Sequence, residues 1–219
     1  LAGCTAPAPP DLVLVAGASG RAGTYVVRQL KAQGIPFRAM TRSRAEAEKR
    51  LGADFAGVDW VECDVRDPAA VAAAMKGVRR VISVIGSREV AGGNSAEFVD
   101  YGGVRNLVDA AVAARVERFV LLTAIGVTDP DHPFNKASKG ALGWRLRGEN
   151  HLRASGLAYT IVRPHGFMQT FFWISAPLVM EHGILAFPGG EGRIPLIDLR
   201  DVGAASSKPV PSAARNFGP

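Results

Sequence analysis

The sequence predicts an α/β protein built on one doubly wound parallel sheet with helices on both faces. From Asp11 onward, short β-branched runs alternate with longer helical patterns, the signature of repeated βαβ units. The first of those runs, residues 12–16 (LVLVA), is apolar throughout, as a strand covered on both faces has to be. A chain of 219 residues that is 47% hydrophobic and 21% charged holds enough apolar material for one full core, which argues against two domains.

Strands are expected at 12–16, 37–41, 58–64, 81–85, 119–125 and 159–162, with helices between them. The strongest helical pattern covers 96–114, where Phe98, Tyr101, Val104, Leu107, Val108, Ala111 and Val112 recur at helical spacing; that face is expected to pack on the sheet. Right-handed crossovers then make two βαβ halves, and a ligand belongs beyond the carboxyl ends of the strands, where the strand order reverses. Asp198-Leu199-Arg200-Asp201 reads as a turn into a helix that Pro209 and Pro211 stop. The expected organisation is an irregular Ala/Pro-rich stretch at 1–10, one domain at 11–205 with a small substrate-side region at about 166–197, and an irregular tail at 206–219.

Composition narrows the class of partner. The net charge is +6, but Arg and Lys are scattered and no basic segment is interleaved with aromatics. A basic surface that attracts anionic cofactors is expected, and no nucleic-acid binding. No run approaches the roughly eighteen apolar residues of a membrane span, so no integral membrane segment is expected. Cys4 and Cys63 are the only cysteines, and Cys63 falls in an expected strand; a disulfide framework is improbable and the chain reads as cytoplasmic. Leu1-Ala2-Gly3-Cys4 resembles the end of a bacterial lipoprotein signal, which leaves a lipid anchor through Cys4, or an organelle stroma or matrix, as alternatives. His132, His151, His165 and His182 show neither paired helical spacing nor a nearby Cys, so no metal site is expected.

The most informative segment is Gly17-Ala18-Ser19-Gly20-Arg21-Ala22-Gly23, which follows the first strand directly and opens a helix carrying Val26, Val27 and Leu30. In that context each glycine has a task. Gly17 makes the tight turn, Gly20 lets the backbone approach a pyrophosphate, and Gly23 lets helix and strand pack closely. Free N–H groups and the positive end of the helix then bind the diphosphate, with Ser19, Arg21 and Ala22 in the same turn. No Lys-Ser or Lys-Thr pair follows the glycines, and the spacing is not that of a nucleophile elbow. This is a Rossmann-type dinucleotide turn. Cofactor choice is decided roughly twenty residues on, where an acid would hold the ribose 2′-hydroxyl of NAD. Here the chain reads Thr41-Arg42-Ser43-Arg44, a guanidinium and a hydroxyl suited to a 2′-phosphate. NADP(H) is the expected cofactor, with Arg42 and Ser43 among its contacts. Asp64 and Val65, ending the third strand, flank the adenine, unless Asp64 instead caps the helix that starts near Asp67-Pro68.

Four segments together resemble the NmrA-like atypical short-chain dehydrogenases: the GxxGxxG turn of Gly17 to Gly23, the stretch at 100–111 (DYGGVRNLVDAA), the strand at 118–125, and 152–164 (LRASGLAYTIVRP). The resemblance covers about residues 12–205. Trp144-Arg145-Leu146-Arg147-Gly148-Glu149 is similar to photosynthetic and organellar relatives. The family includes NADPH-dependent flavin, quinone and azo-dye reductases, and also NADP-binding regulators and assembly factors without known turnover. The resemblance implies that Gly86 and Ser87, and Thr123, Ala124 and Ile125, line the cofactor. It also implies that Pro164, His165, Gly166 and Phe167 approach the nicotinamide.

The usual catalytic pair of short-chain dehydrogenases is Tyr-x-x-x-Lys, in which Lys lowers the Tyr pKa for proton exchange with a carbonyl. The three tyrosines are Tyr25, Tyr101 and Tyr159, followed four residues on by Gln29, Arg105 and Arg163. None completes the pair. In the family's shortened pattern a Lys often stands four residues before the equivalent of Glu149, where this chain has Arg145, a poor proton donor that can still bind cofactor phosphate or ribose. Proton transfer falls to Thr123, His132, His165, water or the substrate, with His165 and Thr123 as the catalytic candidates. The stretch 166–195 is the densest aromatic region, with Phe167, Met168, Phe171, Phe172, Trp173, Met180 and Phe187. It suits the floor of a pocket for a flat ring, a core layer over the sheet edge, or a protein interface. The expected function is hydride transfer from NADP(H) to a planar acceptor such as a quinone or flavin. The alternative is a non-catalytic NADP(H)-binding redox sensor or assembly factor with a protein partner.

Overall fold

In the computed structural model, which describes residues 11–87, 91–132, 135–136, 140–184 and 195–208, the expected strands form one parallel sheet. They are β1 (Val13–Ala16), β2 (Phe37–Thr41), β3 (Trp60–Glu62), β4 (Arg80–Ser83), β5 (Arg118–Leu122) and β6 (Tyr159–Val162). Their order is β3-β2-β1-β4-β5-β6. Ala16 is flanked in register by Met40 on one side and Ser83 on the other, so the chain reverses direction across the sheet between β1 and β4. A crevice opens there, past the strand ends.

Alternate residues of each strand feed different cores. Val13, Val15, Ala39, Ile82 and Val120 pack against Val26, Val27 and Leu30 of α1 (Arg21–Ala32) and Ala47 of α2 (Arg44–Leu51). Leu14, Val81, Phe119 and Leu121 face the opposite way. They meet α3 (Pro68–Ala74), α4 (Val104–Ala113) and Leu152 of α5 (Ala141–Ala154). Cys63 lies in this second core, and burial, with added repulsion from Asp64 and Asp67, pushes its thiol up to about 11. Beyond β6 the chain adds a two-stranded parallel ribbon of Gly166–Phe167 with Leu196–Ile197, the helix α6 (Ala176–His182), and α7 (Leu199–Ser207). Leu199 and Val202 of α7 are buried against Ala22 of α1.

Three expectations need correction. The strands read at 58–64, 81–85 and 119–125 end earlier, at Glu62, Ser83 and Leu122. The helix read at 96–114 begins as a π-helical segment, Glu97–Gly103, in which the Tyr101 N–H reaches the Ala96 carbonyl five residues back at 3.0 Å. Each π turn holds an extra residue and rotates the following side chains. Phe98 is accordingly 49% exposed and off the packing face, while Asp100 is buried on it. Val112 is 44% exposed, because Val104, Leu107, Val108 and Ala111 already fill the contact. The C-terminal helix forms as expected, with Asp198 accepting the Arg200 N–H at its start. Residues 1–10, Phe187, Pro209 and Pro211 lie outside the described residues.

Candidate dinucleotide site

The glycine turn has the geometry its sequence requires. Gly17 adopts φ +84°, and a Cβ there would sit 3.1 Å from the Val84 carbonyl and the Ile85 nitrogen. A Cβ at Gly23 would lie 2.1 Å from the Gly17 oxygen, so only glycine lets α1 start this close to β1. Gly20 is different. Its φ of −77° suits any residue, and a Cβ would meet only the Gly17 oxygen, at 3.0 Å. What a side chain at Gly20 would fill is the space in front of the turn. The N–H groups of Arg21, Ala22 and Gly23 are the first of α1 and have no acceptor within the helix; the first intrahelical bond is Thr24 to Gly20, at 3.1 Å. A bare backbone surface edged by N–H groups that have no partner among the described residues fits a diphosphate.

The ends of β2 and β3 form one side of the crevice. Ser19 and Thr41 share a hydroxyl hydrogen bond of 3.0 Å. Arg42 donates from Nη1 to Asn94 Oδ1 at 3.1 Å, across the mouth of the crevice. Ser43 caps α2 by accepting the Glu46 N–H, which leaves its own proton for a ligand. Arg50, which no motif singles out, reaches the Ser19 carbonyl. Glu62 enters from β3 and accepts the Arg44 N–H at 2.6 Å. Of the two roles open to Asp64, the helix cap is excluded: Asp67 caps α3 through the N–H groups of Ala69 and Ala70. Asp64 is instead chelated by Arg66 through the backbone N–H, Nε and Nη2. The Arg66 side-chain bond, against a smaller push from burial, holds the Asp64 carboxyl below its ordinary range. The Val65 carbonyl is pinned by the Asn106 amide at 2.9 Å.

Past the ends of β4, β5 and β6 the structure brings together residues that the patterns name separately. Among the described residues, nothing lies within 4 Å of a would-be Cβ at Gly86. The Ser87 N–H donates to Asp100 Oδ2 at 2.9 Å, and Arg145 donates from Nε to Oδ1 of the same carboxylate at 2.7 Å. Thr123 donates its hydroxyl to Glu149 Oε1 at 2.7 Å. That commits its proton to a fully buried carboxylate that Arg153 and Arg163 also bind. Thr123 is therefore not retained as a proton donor, although its backbone still edges the crevice beside Ala124. Pro164 is buried, and its carbonyl accepts the Ile125 N–H at 3.0 Å; His165 beside it is half-buried. His132 packs its ring where a side chain at Gly126 would stand.

Part of the aromatic stretch packs as a core layer and part of it is exposed. Phe167 and Trp173 join the cluster around Ala22, Leu199 and Val202, whereas Met168, Phe172 and Met180 are exposed. Arg21, at the head of α1, lies over the Trp173 ring at 4.4 Å, a cation–π contact that ties the glycine turn to the segment after β6. Asp100 and Glu149 fall in segments that carry the family resemblance, but no pattern assigned either of them a role. The available hints were Asp100 recurring with Val104 and Leu107 on the buried face, and Glu149 one turn before the buried Leu152.

A switch-point crevice, a glycine turn against the first strand and a bare helix N-terminus define a Rossmann-type dinucleotide-binding protein. A family model described as NAD(P)H-binding matches residues 17–171, and the chain belongs to that family, within the NmrA-like group of atypical short-chain dehydrogenases. It is 33% identical over 196 residues to an NAD(P)H azoreductase of Xenophilus azovorans, covering 89% of this chain and 62% of the relative. It is 34% identical to the chloroplastic protein TIC 62 of Pisum sativum, over 71% of this chain and 33% of the relative. Among solved structures it is similar to the NADPH-dependent quinone oxidoreductase QOR2 of Escherichia coli in complex with NADPH, with a TM-score of 0.70 and 26% identity. That likeness covers 89% of this chain and 63% of the other. The chain thus spans less than two thirds of each of these relatives.

Proposed function

We propose that the chain is an NADP(H)-dependent reductase that passes hydride to a planar, electron-poor acceptor such as a quinone or flavin. The observation that carries the cofactor choice is the end of β2, where Arg42 and Ser43 stand beside the glycine turn with no acid among residues 41–44. In this reading Gly17, Ser19, Gly20, Arg21, Ala22 and Gly23 hold the diphosphate, Arg42 and Ser43 hold the 2′-phosphate, and Asp64 and Val65 border the adenine. Gly86, Ser87, Ala124, Arg145 and Pro164 border the nicotinamide end. Arg42 would exchange Asn94 for the phosphate. Losing a charge-assisted contact of about 1.5 to 3 kcal/mol, Arg42→Ala should bind NADPH about ten to a hundred times more weakly while NADH is little affected. Calorimetric titration with both cofactors checks this, and equal losses would mean that Arg42 acts elsewhere.

The bound nicotinamide supplies the hydride. The chain's own contribution is orientation and exclusion of water, since no Tyr-Lys pair is present to move a proton. An acceptor that is already electron-poor needs little acid catalysis, whereas oxidation of a simple alcohol needs a base to remove the hydroxyl proton. Steady-state NADPH consumption should therefore be brisk with quinones or flavins, and NADP reduction by simple secondary alcohols negligible. Brisk alcohol turnover would sink the reading. In the same assay His165→Ala should slow quinone reduction only a fewfold if the ring merely packs against the cofactor, and by about a hundredfold if it donates the proton. The missing pair favours a second reading, an NADP(H)-binding protein whose output is a protein contact. Tight NADPH binding with no turnover across a panel of quinones, flavins and dyes would support it.

A further inference from the structure

We propose that Asp100 is a positioning residue for the nicotinamide end of the dinucleotide: it grips Arg145 by Nε and Ser87 by its backbone, and thereby presents the free end of the Arg145 guanidinium to a neutral oxygen of the nicotinamide ribose. The inference rests on the NADP(H) reading above, and it adds a role for a buried acid that the hydride chemistry itself does not use.

The Asp100 side chain is 3% exposed, and a carboxylate taken out of water that far must be paired. Both its oxygens are spent on groups from other elements: Oδ1 on Arg145 of α5, Oδ2 on the Ser87 N–H past β4. Two local devices bring it there. The π-helical segment Glu97–Gly103 turns Asp100 toward the sheet. Gly148, one turn beyond Arg145, lets α5 close in, since a Cβ there would sit 2.9 Å from the Asp100 carbonyl oxygen. A carboxylate so placed fixes the loop after β4 and the helix after β5 relative to each other, and those two segments border the crevice on its nicotinamide side.

Arg145 supplies the functional half. Its side chain is only 20% exposed, yet of its five N–H donors the Nε–H alone has a partner among the described residues. Nη1 and Nη2 are not buried without a partner, so both keep contact with solvent and remain available as donors. Because Asp100 cancels the charge, the fork suits a hydroxyl or carbonyl oxygen better than a phosphate. A lysine carries its three donors on one nitrogen and lacks the planar fork, so it would hold the two partners with less geometric specificity.

The test is calorimetric titration of the wild type, Asp100→Asn, Arg145→Gln, Arg145→Lys and the Asp100→Asn/Arg145→Gln double variant with two probes. One is NADPH. The other is adenosine 2′,5′-bisphosphate, which carries the adenosine end and lacks the nicotinamide ribose. Each single variant should lose about tenfold in NADPH affinity, the double variant no more than the weaker single one, and the bisphosphate affinity should stay within about twofold of wild type throughout. Equal losses for both probes would show that Asp100 only supports the fold, and wild-type NADPH affinity in Arg145→Gln would show that the fork touches nothing; either overturns the proposal. If Asp100→Asn does not fold, the two Arg145 variants decide by the same probe comparison. A wild type that binds neither probe overturns the NADP(H) reading and the proposal with it, whereas a wild type that binds both with the variants unaffected overturns the proposal alone.

Discussion

Replacing Glu149 by alanine should destabilise the protein by about 3 kcal/mol, the lower end of the range for breaking a buried ion pair by removing one partner. Glu149 is fully buried, and its two oxygens accept from Thr123 at 2.7 Å, Arg153 at 2.8 Å, and Arg163 at 3.0 and 2.5 Å. These bonds join the ends of β5 and β6 to α5. The lower end is expected because the Arg153 and Arg163 side chains are 35% and 33% exposed, so water takes over part of the lost pairing. For a domain of this size the loss corresponds to a fall in Tm of about 6–12 °C. The effect should depend on pH in one direction. Burial pushes the Glu149 carboxyl up, but the hydrogen bonds from Arg163, Thr123 and Arg153 outweigh it and hold the group below its ordinary value. A carboxyl depressed in the folded state contributes its full stability above the unfolded value and loses it as the pH falls through the folded one. The stability gap between wild type and Glu149→Gln should hold steady near neutrality and narrow in acid. Urea melts at several pH values measure it, and a gap that widened in acid would contradict the assigned hydrogen bonds.

Two glycines in one turn should fail in different ways. Gly20→Val should remain folded, because the φ there is ordinary and the only close neighbour is the Gly17 oxygen at 3.0 Å. The side chain would then occupy the diphosphate position and weaken NADPH binding by at least about a hundredfold. Gly23→Ala should lose stability first, since its methyl would stand 2.1 Å from the Gly17 oxygen and 2.7 Å from that of Ala18. Both are backbone atoms that cannot swing aside, and prising α1 from β1 should cost about 3 kcal/mol or more. Thermal melts followed by NADPH titration separate the outcomes. Wild-type affinity in Gly20→Val would show that the diphosphate binds elsewhere.

The parts of the molecule readable in the sequence are those written in local patterns. The apolar run through Val13 and Val15, the β-branched strands and the three spaced glycines each require only their own neighbours to be understood, and right-handed crossovers then make two βαβ halves. The turns at Gly17 and Gly23 and the β2 end at Arg42 therefore lie where the patterns put them. The roles of Asp100 and Glu149 were not legible, although both lie in segments that carry the family resemblance, because a buried acid has meaning only through its partners. Those of Asp100 are 13 and 45 residues away, and Thr123 lies 26 residues from Glu149. The π-helical register was hidden for the same reason. Phe98 fits a helical stripe on paper, and only the demand to bury Asp100 against Ser87 and Arg145 shows why the turn is wound differently. Arg50 is an unremarkable last-turn arginine until α2 is folded back beside the glycine turn.

The position of Cys63 sets a limit on how the protein can be attacked. Only a thiolate reacts readily with electrophiles and peroxides, and a thiol with its pKa pushed up to about 11 is almost wholly protonated at neutral pH. This core sulfur sits in a chemically silent place, next in the chain to Asp64. Alkylating reagents and oxidants that reach the protein will act on other groups first, and a thiol-directed probe applied at neutral pH will leave the sheet and the crevice above it unmarked.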